Sequence, residues 1–424
     1  MSAPSTWRQF DTTHVWHPYT QHGLPRAQVP IVRAEGAYLF DADGRPILDA
    51  ISSWWVTTHG HAHPEIATAI ADQAGRLEQV IFAGFTHEPA AMLAAELVRV
   101  LPSGLEKIFF SDDGSTAVEV SVKMALQYWA NRGTPRPLVA ALTNAYHGDT
   151  FGAMSLSGRG VFTKPFDAHL FEVARLPDPT EGDVVSAFAA LIDTRGSELA
   201  ALVVEPLLLG AGGMRVWEPS ALRGLHDLAK AAGVLLIADE VLTGFGRTGP
   251  LFASGGAGIT PDIVCLSKGL TGGFLPLGVT GCTNEIFEGF LSGDRTKTLF
   301  HGHSFTANPI ACAAARASLA LFTEECDVRR REIERVHVSQ LDELRNLPVV
   351  RRPRVLGTVA AFDFGQEDAD YLNPIGPRLG AYALDRGVLL RPLGNTVYIL
   401  PPYCITASEL VRIYEVIRTF AEGA

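Results

Sequence analysis

The chain has 424 residues, 47% hydrophobic and 19% charged, enough for a large core and, at about 100–200 residues per domain, for two or three domains. Its 35 basic and 46 acidic residues give a formal charge of −11, which argues against nucleic-acid binding through a basic surface. The five cysteines (Cys265, Cys282, Cys312, Cys326, Cys404) form no CxxC, which argues against a disulfide framework or a zinc finger and for reduced thiols in a cytoplasmic protein.

Read in chain order, the elements fall into three zones. Residues 1–60 alternate short extended pieces with turns. The opening MSAPSTWRQFDTTHVWHPY lacks the apolar stretch of a secretory signal, and IVRAEGAYLFDADGRPILDA carries an Ala-Asp-Gly turn between apolar stretches. Residues 61–315 alternate helices with strand candidates at 107–111, 137–143, 199–206, 233–240 and 262–268. Near-continuous apolar strands between helices predict an α/β fold with a mostly parallel sheet covered on both faces. Residues 316–424 read as a smaller α+β unit. It has a charged helix in EECDVRRREIERVHVSQLDELRNL, strands in VLGTVAAFDF and TVYIL, and a closing helix in TASELVRIYEVIRTF. No apolar run reaches the roughly 18 residues of a membrane span.

Glycine stands out at 41 residues, many in loops beside apolar strands, and chemistry is sought there. Lys268 ends the apolar stretch PDIVCLSK and precedes Gly269. Open α/β sheets place ligands at the carboxyl ends of their strands, so Lys268 either reaches solvent or forms a Schiff base with a carbonyl compound. Asp239 ends GVLLIADE, one strand earlier. It either caps the next helix or holds a proton on the ring nitrogen of pyridoxal phosphate, whose ring is then an electron sink. FFSDDGSTAVEVSVKMALQYW runs strand, Gly-Ser turn, helix. Thr116 and Glu119 have the spacing of a capping box. Val118, Val122, Ala125 and Trp129 form an apolar stripe, with Glu119, Lys123 and Gln127 facing out. The amides of Gly114 and Ser115 then start either a plain capped helix or an anion site.

Two other patterns are weaker. GFGRTG (244–249) fits GxGxxG, but no helix pattern follows it, so it reads as a structured loop in which Arg247 pairs with a buried acid. His59, His61 and His63, like His301 and His303, alternate in a way that can ligate metal. Pro64 and a helix pattern follow the first set at once, however, and no metal is expected. No GxSxG elbow points to a serine hydrolase.

Taken together and in order, HGHAHPEI, SDDGSTAVEVSVKMA, AYHGDTFGAMS, VVEPLLLGAGGM, IADEVLTGFGRTG, PDIVCLSKGLTGG and HGHSFTANPIACAAA resemble the class III aminotransferases. These are pyridoxal-phosphate enzymes of fold type I. The resemblance implies a large cofactor-binding domain at 61–315, with 1–60 and 316–424 forming a smaller domain. It implies that Lys268 carries the cofactor, that Asp239 holds the pyridine nitrogen and that Gly114 and Ser115 bind the phosphate. Tyr146 would stack on the ring and border the substrate. His303 and Ser304 would reach the phosphate from the other subunit, making a homodimer obligatory.

HVWHPYT, SSWWVTTHGH, MALQYW and LLRPLGNTVYILPPY narrow the resemblance to the subgroup of biotin synthesis that aminates 8-amino-7-oxononanoate to 7,8-diaminononanoate. That implies a substrate site of Tyr19, Trp54, Trp55, Tyr146, Gly302 and Arg391, with Arg391 on the substrate carboxylate. S-adenosylmethionine is the expected amino donor, with lysine as the alternative. Other ω-aminotransferase acceptors (4-aminobutyrate, ornithine, a polyamine) remain the alternative to this one. Three positions depart from common family patterns: Leu242 and Leu209 stand where glutamine is frequent, and His303 is unusual in HGHSFT.

Overall fold

The computed structural model describes residues 6–24, 28–365 and 371–423. Strands β1 (Ile31–Glu35), β2 (Tyr38–Asp41) and β3 (Pro46–Asp49) form an antiparallel meander. There follow β4 (Leu105–Ser111), β5 (Leu138–Leu142), β6 (Val173–Leu176) and β7 (Leu199–Val204), then a short hairpin of β8 (Leu208–Leu209) and β9 (Arg215–Val216). Next come β10 (Leu235–Asp239), β11 (Ile263–Leu266) and β12 (Gly278–Thr283), and finally β13 (Val350–Leu356), β14 (Val359–Phe364), β15 (Val388–Leu389) and β16 (Thr396–Ile399).

The central sheet runs β4-β12-β11-β10-β7-β5-β6. Only β12 runs opposite to the other six strands. This is the expected α/β architecture, and the five expected strands all lie in this sheet. Alternate residues feed two cores, as the pleat requires. Val139, Ala141, Ala201, Val203, Leu235 and Ile237 pack with the helix Gly114–Asn131. Leu138, Ala140, Leu202, Val204 and Leu236 pack with the helices Val184–Arg195 and Pro219–Ala232 on the other face. Two strands of this sheet went unforeseen. β6 is a four-residue edge strand with only Leu176 fully buried. β12 reads GVTGCT, whose glycines suggest a turn. At Gly281 a Cβ would sit 3.0 Å from Val264 Cγ1, so the small residue permits close strand contact.

In the C-terminal zone, the helix Glu324–Leu344 and the closing helix Ala407–Glu422 pack on the antiparallel sheet β13-β14-β16 around one apolar core. β15 adds to β3 in parallel, with Val388 beside Leu48, so the two ends of the chain share a sheet. GFGRTG forms a staple between zones. Tyr403 donates to Phe245 O at 2.7 Å, Thr358 N donates to Arg247 O at 2.9 Å, and Arg330 donates to Gly246 O at 3.1 Å. Arg247 itself is buried but meets no acid among the described residues. It donates to Pro401 O at 2.9 Å and Thr57 O at 3.2 Å and lies 4.8 Å from the centroid of Tyr403. Carbonyl dipoles and a ring face replace the expected carboxylate. No helix among the described residues is long and apolar enough to cross a membrane.

Candidate active site

A cavity of about 660 Å³ opens at the carboxyl ends of β10 and β11. Asp239 is the last residue of β10 and pairs in register with Cys265 of β11; Lys268 follows two residues after that strand. Both line the cavity, with Trp55, Gly114, Ser115, Tyr146, His147, Asp149, Glu205 and Leu242. Lys268 has φ 44°, a left-handed backbone that turns its side chain out of the strand line. Its Nζ lies 4.9 Å from the Trp55 ring centroid. Burial pushes the Lys268 amine below the usual lysine range, against the pull of Asp239 and Glu205. A larger share is therefore the neutral amine, the form able to attack a carbonyl.

Asp239 is fixed from two sides. Its Oδ2 accepts from His147 Nδ1 at 2.7 Å, and its Oδ1 from Val241 N at 3.1 Å. His147 Nε2 is buried and has no partner among the described groups. This imidazole was not foreseen, although it sits in the segment AYHGDT. Glu205 was also missed. It accepts backbone N–H groups from Tyr146 and Gly210, each at 2.9 Å.

The turn into helix Gly114–Asn131 is built differently from the expected capping box. Asp113 is the cap: Thr116 N donates to Asp113 Oδ1 at 2.7 Å, and Asp113 N to Thr116 Oγ1 at 3.1 Å. This frees Glu119, which accepts from Thr150 Oγ1 at 2.5 Å and Gly152 N at 2.7 Å. Lys123 donates to Phe300 O at 2.9 Å and Gln127 to Thr298 O at 3.0 Å. The face expected to meet solvent thus holds two loops. The helix start fits an anion: a positive helix end, two amides, and no room for side chains beside them. A Cβ on Gly114 would lie 2.6 Å from Val241 Cγ1, and one on Gly148 (φ 128°) would lie 2.3 Å from Ser115 Oγ. Amine, buried carboxylate and anion cradle in one cavity match the three handles of pyridoxal phosphate: aldehyde, ring nitrogen and phosphate.

Residues 19–420 match the family model for class-III aminotransferases. The chain belongs to the class-III aminotransferases. It is 51% identical over 413 residues to an adenosylmethionine-8-amino-7-oxononanoate aminotransferase of Synechococcus elongatus, covering 95% of this chain and 97% of that protein. The crystal structure of the enzyme of that name from Methanocaldococcus jannaschii is 34% identical, with a TM-score of 0.92 over 97% of this chain and 98% of that one. An amine transaminase from an uncultivated Pseudomonas species, solved with pyridoxal phosphate bound, is 31% identical, with a TM-score of 0.89 over 96% and 97% of the two chains.

In this class-III aminotransferase the remaining expected site residues form two groups. The first continues the cavity rim. Tyr19 donates to Asp149 Oδ2 at 2.5 Å, its ring meets Trp54 edge-on at 5.4 Å, and the Arg391 guanidinium lies 4.6 Å from the Trp54 centroid. Burial, reinforced by the Asp149 bond, pushes the Tyr19 hydroxyl up to about 12, so it remains a donor at neutral pH. Positive φ at Ser52, Ser53 and Trp55 sends the two tryptophans different ways: Trp54 to the rim, Trp55 inward, where it donates to Tyr398 Oη at 3.0 Å. Asp149 was not foreseen as part of this rim. The second group, Gly302, His303 and Ser304, does not line the cavity of its own chain. His303 Nε2 comes within 3.9 Å of Asp112, which does, and Ser304 O accepts from Gln79 at 2.6 Å. Leu242 closes one cavity wall and Leu209 is buried in the core beneath the sheet. The alternating histidines diverge: His61 pairs with Asp49 at 2.9 Å, while His59 packs against Phe322 at 4.6 Å.

Proposed function

We propose that this aminotransferase uses pyridoxal 5'-phosphate to move the α-amino group of S-adenosylmethionine onto C7 of 8-amino-7-oxononanoate, giving 7,8-diaminononanoate for biotin synthesis. The activity is that named for the Synechococcus elongatus relative. The observation that carries the acceptor is the rim: a cation at Arg391 with no carboxylate partner among the described residues, an aromatic wall of Trp54 and Tyr19, and a carboxylate at Asp149. The acceptor has the complementary order of carboxylate, apolar chain, and ketone beside an ammonium. Arg391 offers a two-pronged donor to the carboxylate, and Asp149 with Tyr19 meets the ammonium at C8.

When bound, the cofactor supplies an electron sink for the carbanion formed at the amine-bearing carbon. Lys268 would hold the aldehyde end, and its amine would move the proton to and from that carbon as general base and acid. Asp239, braced by His147, would hold the proton on the ring nitrogen. Gly114 and Ser115 would hold the phosphate, and Tyr146 would cover the ring and border the substrate with Trp55. The reaction would run in two halves: the donor gives up its amino group and leaves as the keto acid, and the acceptor ketone then takes up that nitrogen as its amine, with the bound cofactor holding the nitrogen in between.

The working form is read as a homodimer of cytoplasmic subunits, with 61–315 binding cofactor and 1–60 plus 316–424 forming the smaller domain. Ile81 and Phe85 (61% exposed), Phe300 (72%) and Phe305 (64%) leave apolar area that a second copy would cover. Gly302, His303 and Ser304 lie between Phe300 and Phe305, which supports the reading that they reach the phosphate and substrate of the neighbouring subunit. Five unpaired cysteines suit a reducing compartment. The test is the absorbance of the loaded enzyme mixed with each donor separately. S-adenosylmethionine is expected to convert it to the pyridoxamine form, and 8-amino-7-oxononanoate to restore it. Conversion by lysine alone would reassign the donor, and conversion by neither would overturn the substrate assignment.

A further inference from the structure

Glu205 has no part in the reaction laid out above, yet it is buried in the cavity wall just past the end of β7. Its two oxygens serve two different segments. Oε1 accepts from Tyr146 N on the loop after β5, and Oε2 from Gly210 N just after β8. Its own carbonyl accepts from Trp217 Nε1 at 3.2 Å, which fixes the segment from behind. Gly210 in turn is pressed on the opposite wall, since a Cβ there would lie 2.3 Å from Leu242 Cδ2.

The geometry asks for two acceptors and no donor. Among side chains of this length only an ionised carboxylate meets that demand; glutamine would aim its NH₂ at one of the two N–H groups. The arrangement is kept despite an opposing cost. Burial pushes the Glu205 carboxyl up to about 7, and Asp239 adds to this while His147 opposes it. A buried acid retained at such a place, with its oxygens on the backbone of two cleft walls, points to a need for fixed spacing between those walls.

We propose that Glu205 is a positioning residue for amino transfer: its carboxylate ties Tyr146 to the Gly210 turn, so that two walls of the cofactor cleft move as one piece. What Tyr146 covers rests on the transaminase reading; the tie itself does not.

The test compares Glu205→Gln and Glu205→Ala with wild type. In cofactor-free protein, amide hydrogen exchange across 143–149 and 207–213 reads the tie directly. Exchange is expected to rise about tenfold or more in one segment for Glu205→Gln and in both for Glu205→Ala, the effect of losing a charge-assisted bond. In loaded Glu205→Gln, the visible circular dichroism of the cofactor is expected to fall and kcat to drop about tenfold or more, with KM for 8-amino-7-oxononanoate within about twofold. Glu205→Asp, one methylene shorter, is expected not to restore either. Unchanged exchange in both segments overturns the proposal, as does a loss confined to KM or to melting temperature. If Glu205→Ala does not fold, the near-isosteric glutamine variant decides alone. If wild type transfers no amino group, the transaminase reading fails while the exchange measurement still decides the tie.

Discussion

Replacing Arg391 with methionine separates substrate recognition from fold. The guanidinium is half-buried, lies 4.6 Å from the Trp54 centroid and has no carboxylate partner among the described residues. Among the described residues its removal then loses only a ring contact of about 0.5–1 kcal/mol, partly replaced by the methionine stem, and melting should move little. In the complex it loses a two-pronged bond to the acceptor carboxylate, about 1.5–3 kcal/mol for a hydrogen bond between charged groups. At 1.4 kcal/mol per tenfold, kcat/KM for 8-amino-7-oxononanoate should fall about 10- to 150-fold. The discriminating assay adds the methyl ester of the acceptor, making a cycle of two enzymes and two substrates. Wild type should prefer the acid over the ester by roughly that factor, and Arg391→Met should show no preference. A variant that keeps the wild-type preference would refute the assignment, whatever its absolute rate.

Further outcomes follow from individual positions. Gly148→Ala places a Cβ 2.3 Å from Ser115 Oγ at φ 128°, a strain of about 1–3 kcal/mol at the anion cradle; equilibrium dialysis should show a hold on pyridoxal phosphate weakened about 5- to 150-fold. Lys268→Ala should abolish both the absorbance of the lysine-bound cofactor and turnover in a spectrophotometric assay, and full activity in that variant would remove Lys268 from its role. Burial holds His59 and His337 neutral, pushing each from 6.5 down to about 3. The unfolded chain takes up those protons first, so stability is full above about pH 6.5 and falls as pH drops toward 3. At pH 5 the loss is about 2 kcal/mol for each histidine. Urea titrations at pH 7 and 5 should show it, with a smaller decrement in His337→Leu.

Much of this molecule is legible in its sequence because its chemistry sits at strand ends. An apolar run followed by Asp239, and another followed by Lys268, place two polar groups on neighbouring parallel strands before any coordinates are known. The Gly-Ser turn at 114–115 marks a helix start that could take an anion, whereas the close approach at Gly148 shows only in the fold. What is not legible is how polar groups pair across loops. Thr116 and Glu119 have the spacing of a cap, but Asp113 competes for the same amide and wins, releasing Glu119 to hold 150–153. Arg247 invites an acid, yet the carbonyls of Thr57 and Pro401 arrive from distant segments to take its protons. Asp149, His147 and Glu205 lie in quoted motifs, but nothing local says that they face the cavity. Periodicity also misses β12, whose glycines and threonines owe their extended form to the strands on either side.

The most direct measurement of the central claim follows one nitrogen atom. Purified enzyme loaded with pyridoxal phosphate is given S-adenosylmethionine labelled with ¹⁵N at the α-amino group, together with unlabelled 8-amino-7-oxononanoate, and the products are read by mass spectrometry. The account predicts 7,8-diaminononanoate carrying one ¹⁵N at C7, and none when the donor is omitted. Absence of that product, or a product without the label, would contradict it.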